Sequence, residues 1–249
     1  MMRAKILEKL SEIEKEKNVE ILFAIESGSR AWGFASPDSD YDIRFVYKHS
    51  KDWYLNLWEG KDTIEFATED NLDGTGWDLR KAIKLMTKSN ASIIEWLFSP
   101  IVYRANDAFL EDMQTLAKHS FNPIAGFYHY HSMSKSFLEK VSRENVSLKS
   151  FFYALRAALS AMWIVKRKTA PPVLFTELLD LIDNNTIKEI EALKELKSKY
   201  SEAFQVKQNQ RLFIFLKYTI LDNDEKGKKL INCQYNPEDF NNIFLKYLS

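Results

Sequence analysis

Glu26-Ser27-Gly28-Ser29-Arg30-Ala31-Trp32-Gly33-Phe34-Ala35-Ser36-Pro37-Asp38-Ser39-Asp40-Tyr41-Asp42-Ile43-Arg44-Phe45-Val46 decides the fold of this chain. The apolar run 19–25 leads into it and reads as a buried strand. The run breaks at Gly28-Ser29 and resumes at Asp40 as a second strand to Tyr47. Where a strand gives way to a turn or helix, backbone N–H groups can face an anion. Asp40 and Asp42 are two apart, so a strand puts both carboxylates on one face, with Tyr41 and Ile43 turned toward a core.

Two carboxylates on one face repel unless a cation lies between them. Oxygen ligands on a rigid strand suit Mg²⁺, which keeps waters and recruits substrate phosphates; Mn²⁺ offers the same chemistry. A phosphate cradle at Gly28-Ser29 then completes a site for a nucleoside triphosphate. The plain alternative is a polar Pro-Asp-Ser-Asp turn followed by an exposed strand acid, which leaves Gly28-Ser29 unexplained.

The stretch resembles the signature of the DNA polymerase beta-type nucleotidyltransferase superfamily: an apolar strand, Gly-Ser, then Asp-x-Asp between hydrophobic residues. More narrowly it is similar to a bacterial and phage branch of RNA-repair-pathway nucleotidyltransferases. Further matches are Gly76-Trp77-Asp78-Leu79-Arg80-Lys81-Ala82, Ser89-Asn90, Glu95-Trp96-Leu97, Ser99-Pro100-Ile101-Val102-Tyr103 and Tyr153-Ala154-Leu155-Arg156, so the resemblance spans residues 19–168. It implies Mg²⁺-dependent transfer of NMP from an NTP to a hydroxyl, with an RNA or tRNA 3′ end as acceptor. A small-molecule or protein hydroxyl is the alternative acceptor within the superfamily. A catalytically idle, antitoxin-like binding protein of the same fold is the alternative outside enzymes.

Such transfer asks for two metal ions and a third carboxylate. Three acids fit beside hydrophobic neighbours. Asp78 lies in the best family-like match and joins Asp40 and Asp42 as expected metal ligand, although it reads as the first turn of a helix. Asp73 is the second candidate, with Gly74 where the pattern wants an apolar residue. Glu65, between Ile64 and Phe66, is the third. Gly28, Ser29 and Arg30 are the expected phosphate contacts. Arg44 shares the face of Asp40 and Asp42 and could balance them or touch phosphate.

Composition bounds the rest. At 249 residues, 45% hydrophobic and 28% charged, the chain holds one large or two small packed domains. Its formal net charge is zero, so a polyanion would meet a local patch rather than the whole surface. The single Cys233 excludes an internal disulfide and fits a reducing compartment. No apolar run approaches 18 residues and the N-terminus carries no leader-like segment, so the expectation is a cytoplasmic protein without a membrane span.

The pattern along the chain predicts an α+β fold: a small mixed sheet with helices over 1–104, then an all-helical substrate- or nucleotide-binding domain over 105–249. Helices are expected at 2–17, 77–87 and 92–98, then at 107–118, 122–144, 147–168, 174–183, 186–202, 206–221 and 237–248. Strands are expected at 19–25, 40–47 and 62–68, with a short return strand at 71–75 and another at 101–103. Residues 135–168 carry eight basic and two acidic residues. Lys149, Tyr153 and Arg156 share one helical face there, which suits a triphosphate and a stacked base. His129 and His131 are two apart, on different helix faces, and do not read as a metal pair.

Overall fold

The computed structural model describes residues 2–69 and 71–248. The fold is mixed α+β, as the pattern predicts. Five strands form one sheet: β1 (Glu20–Glu26), β2 (Tyr41–Lys48), β3 (Thr63–Ala67), β4 (Leu72–Asp78) and β5 (Val102–Ala105). Their order is β3-β4-β2-β1-β5. The β2–β4 pair is parallel and the other pairs are antiparallel.

Helix α1 (Met2–Lys17) covers one face. Its Ile6, Leu10 and Ile13 pack with Ile21, Ala24, Ile43, Phe45, Tyr47 and Leu72, all buried. This is the amphipathic stripe read from the sequence, with its charges outward. On the opposite face Trp77 on β4 stacks on Trp96 of α5 (Ala91–Leu97), ring centroids 3.9 Å apart.

The chain divides into two compact units. The sheet unit comprises residues 1–31, 40–120 and 234–249. The helical unit comprises 32–39 and 121–233. The sequence suggests one cut near 104–106. The contacts instead place α6 (Asp107–Ser120) and the terminal α12 (Pro237–Leu248) with the sheet, and residues 32–39 with the helices. Lys246 and Tyr247 both bond Asp112, which ties α12 to α6.

In the helical unit, α7 (Pro123–Val141), α8 (Leu148–Arg167) and α11 (Gln210–Gly227) share a core of Phe152, Leu155, Leu159, Leu212 and Leu216. Helix α8 is long and apolar enough to span a membrane by length and composition alone. However, 78% of that window is buried inside the protein.

Three expectations are corrected. The expected helix 77–87 begins only at Leu79, because Trp77 and Asp78 end β4. The region after residue 106 is not wholly helical: Asn145–Ser147 and Gln205–Lys207 pair as a two-stranded ladder. The helix expected at 206–221 instead spans Gln210–Gly227, six residues past its expected end. The buried Asn223 supports that continuation, its amide donating to the Ala158 carbonyl at 2.9 Å.

Gly74 and Gly76 are required by packing. A Cβ at Gly74 would overlap the Phe66 ring, and one at Gly76 the Phe45 ring. Each ring fills the space of the missing side chain across the strand. Gly76→Ala forces Phe45 out of a fully buried position, and we expect a loss of about 1–3 kcal/mol by urea unfolding. Unchanged stability would show that the ring moves freely.

Candidate active site

The site is built on the parallel β2–β4 register. Asp42 pairs with Asp73, Arg44 with Thr75 and Val46 with Trp77. Side chains alternate faces along a strand. Asp42, Arg44, Asp73 and Thr75 therefore share the sheet face opposite α1. The Arg44 guanidinium bridges the two acids. It donates to Asp42 Oδ1 at 2.9 Å and to Asp73 Oδ1 at 2.6 Å. Asp40 directly precedes β2 and is exposed.

Gly28 supports Asp42 from the neighbouring segment. It opens α2 (Gly28–Trp32) with φ +63°, a region that favours glycine. A Cβ there would overlap the Asp42 carboxylate, so the acid occupies the room that the glycine leaves. The Ser27 N–H also donates to the Asp42 carbonyl at 2.8 Å. Ser29 is buried. Arg30 donates to the Asp40 carbonyl at 3.0 Å and lies 3.8 Å over the Tyr41 ring. Arg30 thus braces the start of β2.

Among the three candidates for a third carboxylate, register separates the positions. Asp73 stands beside Asp42. Glu65 pairs with Thr75, one strand farther out and two steps along, on the same face. Asp78 falls on the opposite, α1 side. Its expected place in a helical first turn is corrected. It is the N-cap of α4 (Leu79–Thr87), accepting from the Arg80 N–H at 2.8 Å and from the Tyr54 hydroxyl at 2.5 Å. It is 1% exposed, and burial raises its pKa. The structure therefore sets Asp42 beside Asp73, with Asp40 in the segment just before β2, and puts Asp78 on the α1 side.

The donor set is hard oxygen on a rigid edge, the chemistry of Mg²⁺ or Mn²⁺. Among the described residues no three His, Cys, Asp or Glu side chains form a ready metal cage. The bridging Arg44 supplies the positive charge between Asp42 and Asp73. The acids present fit a divalent cation in chemistry, with a guanidinium already marking the place of positive charge.

The sequence reading missed one residue beneath the site. Glu26 is fully buried at the end of β1. Its Oε1 accepts the Asp42 N–H at 2.7 Å, and its Oε2 accepts the Tyr103 hydroxyl. Burial raises its pKa, and the nearby Asp42 charge adds to the shift while both hydrogen bonds oppose it. The available signal was an acid ending an otherwise apolar strand.

The other sequence candidates lie in the helical unit. Lys149 pairs with Glu202 at 2.5 Å, and Glu202 also accepts the Ser39 hydroxyl at 2.8 Å. Arg156 is buried, 4.1 Å over the Trp32 ring. Tyr153 is half-buried among Trp32, Phe34 and Phe137. His131 is buried and bonds Asp224 at 2.8 Å.

A sheet of this order, carrying paired acids after a Gly-Ser turn, defines a nucleotidyltransferase-type fold. The family comparison agrees: residues 2–245 match the model of the RNA repair pathway DNA polymerase beta family, and the chain belongs to that family. It is also similar to the Bacillus subtilis (strain 168) protein called "Uncharacterized protein YcgL". The two are 41% identical over 204 residues, which is 81% of this chain and 78% of that protein.

Glu26 provides a stability test. Its folded pKa is raised, so the native state holds its proton more tightly than the unfolded chain. Its contribution is present below the unfolded pKa and is lost as pH rises through the folded value. Glu26→Gln keeps an acceptor for Asp42 and carries no charge. The stability of the variant relative to the native chain should rise from pH 4 to pH 8 in urea unfolding. A flat or falling difference would contradict a raised pKa.

Proposed function

We propose that this chain transfers a nucleotidyl group from a nucleoside triphosphate to the 3′ hydroxyl of an RNA, releasing pyrophosphate. The observation that carries the reading is the alignment of Asp42 with Asp73, Asp40 at the strand entrance and Gly28 against the Asp42 carboxylate. Family membership supports the transferase class and the RNA acceptor.

In this reading Asp40, Asp42 and Asp73 hold divalent cations. When bound, these ions neutralise the charge that develops on the phosphoryl oxygens. The Asp42 backbone is held by Glu26 and Ser27, and Gly28 leaves room for its carboxylate. Asp73, exposed and beside Asp42, takes the proton of the attacking hydroxyl. The hydroxyl oxygen bonds the α-phosphorus, the bond from that phosphorus to its β-bridging oxygen breaks, and pyrophosphate carries the electron pair away. Arg44, bridging Asp42 and Asp73, would supply positive charge beside the triphosphate. Gly28 and Ser29 line the phosphate side.

The assay is direct. Purified protein, Mg²⁺ and each α-labelled NTP are incubated with total RNA and, separately, with soluble protein and metabolites. Label is expected on RNA 3′ ends. Label on protein or a small molecule would overturn the acceptor, and no label would overturn the reaction.

Substitution separates the acids. Asp42→Asn and Asp73→Asn should each lower turnover by more than about 100-fold. Asp78→Asn should lose stability, since it caps α4 and receives Tyr54, but keep turnover in its folded fraction. A dead, folded Asp78→Asn together with an active Asp73→Asn would reverse the assignment.

A further inference from the structure

Arg44 stands between the two acids of the sheet face, held by backbone as well as by charge. Its Nη2 donates to Asp42 Oδ1 at 2.9 Å, and its Nη1 to Asp73 Oδ1 at 2.6 Å. The same Nη1 reaches the carbonyls of Ile43 at 3.0 Å and Asp73 at 3.1 Å. The guanidinium thus meets four acceptors and takes one oxygen from each carboxylate. The second Asp42 oxygen, Oδ2, lies against Gly28, where an added Cβ would overlap it.

A divalent cation on this face needs the lone pairs that Arg44 already uses. The guanidinium and the ion also repel each other at that range. Two carboxylates and one guanidinium leave a net charge of −1 on the trio, against −2 for the acids alone. With Arg44 in place, the face therefore offers an isolated cation fewer oxygens and half the charge.

The bridge is nevertheless built to open. The Arg44 side chain is 19% exposed and that of Asp73 is 52% exposed, so water reaches and screens the pair. A guanidinium that leaves its acids needs another anion, and its planar fork matches phosphate oxygens as well as carboxylates. A triphosphate carrying its own cation supplies both parts: the cation for the acids, and phosphate oxygens for Arg44.

We propose that Arg44 is a resident competitor of the divalent cation, opposing the ion alone and favouring the ion together with a triphosphate. The inference rests on the reading of Asp42 and Asp73 as cation ligands, and it adds a regulation to that site. Cation and triphosphate bind cooperatively, and the coupling is reciprocal: each raises the affinity for the other. The resting face is closed by its own side chain.

The test measures two affinities of the full chain. One is for Mn²⁺ alone, by electron paramagnetic resonance. The other is for the Mg²⁺ complex of inorganic tripolyphosphate, by calorimetry; this probe has neither base nor sugar. Arg44→Gln should bind Mn²⁺ about tenfold more tightly, and the complex about tenfold more weakly, each shift being the worth of one hydrogen bond between charged groups. Shifts of opposite sign are the signature, because damage to the fold would weaken both. Arg44→Lys is the second variant. It keeps the charge but lacks the fork that spans both acids, so it should bind Mn²⁺ more tightly than the native chain while retaining the complex. Mn²⁺ affinity that is equal in the native chain and both variants would overturn the proposal and leave the cation face standing. Two shifts of the same sign would also overturn it. No Mn²⁺ binding by any of the three chains would overturn the cation face and the proposal together.

Discussion

The parallel pairing of β2 with β4 is the constraint on which the rest depends. It sets Asp42 beside Asp73 and Tyr47 beside Asp78. Because a strand alternates faces, the same register puts the first pair on the face away from α1 and the second under α1. A slip of β4 by one residue would turn its whole side-chain set over. It would put Asp73 under α1 and Asp78 on the outer face. The burial of Ile43, Phe45 and Tyr47 against α1 thus fixes which acids share a face.

Glycine makes that arrangement possible at two places. At Gly28 a positive φ turns the chain, and the missing side chain leaves room for the Asp42 carboxylate. On β4, Gly74 and Gly76 leave room for aromatic rings on the α1 face. The acids are therefore held by packing on one side of the sheet and by a turn at its edge. Glu26 adds support from inside, where its carboxyl receives the backbone of Asp42.

Much of this was legible in the sequence because periodicity and punctuation were strong there. The α1 stripe, β1, β2 and the Gly-Ser turn all follow from spacing. The third acid was not legible. Local pattern favoured Asp78, between Trp77 and Leu79, and disfavoured Asp73 because Gly74 follows. Gly74 makes sense only once Phe66 is known to lie over it, which is a long-range fact. The end of β4 also runs into α4 without a break, so Asp78 read as helix rather than as a strand-end cap. Lys149 and Arg156 were grouped by helical spacing, which says nothing of Glu202 or Trp32 as their partners.

The most direct measurement is Mn²⁺ binding by electron paramagnetic resonance in the native chain, Asp42→Asn, Asp73→Asn and Asp78→Asn. A face built from Asp42 and Asp73 predicts binding that is lost or strongly weakened in the first two variants and kept in the folded third. Binding that survives Asp73→Asn and disappears in Asp78→Asn would contradict the account.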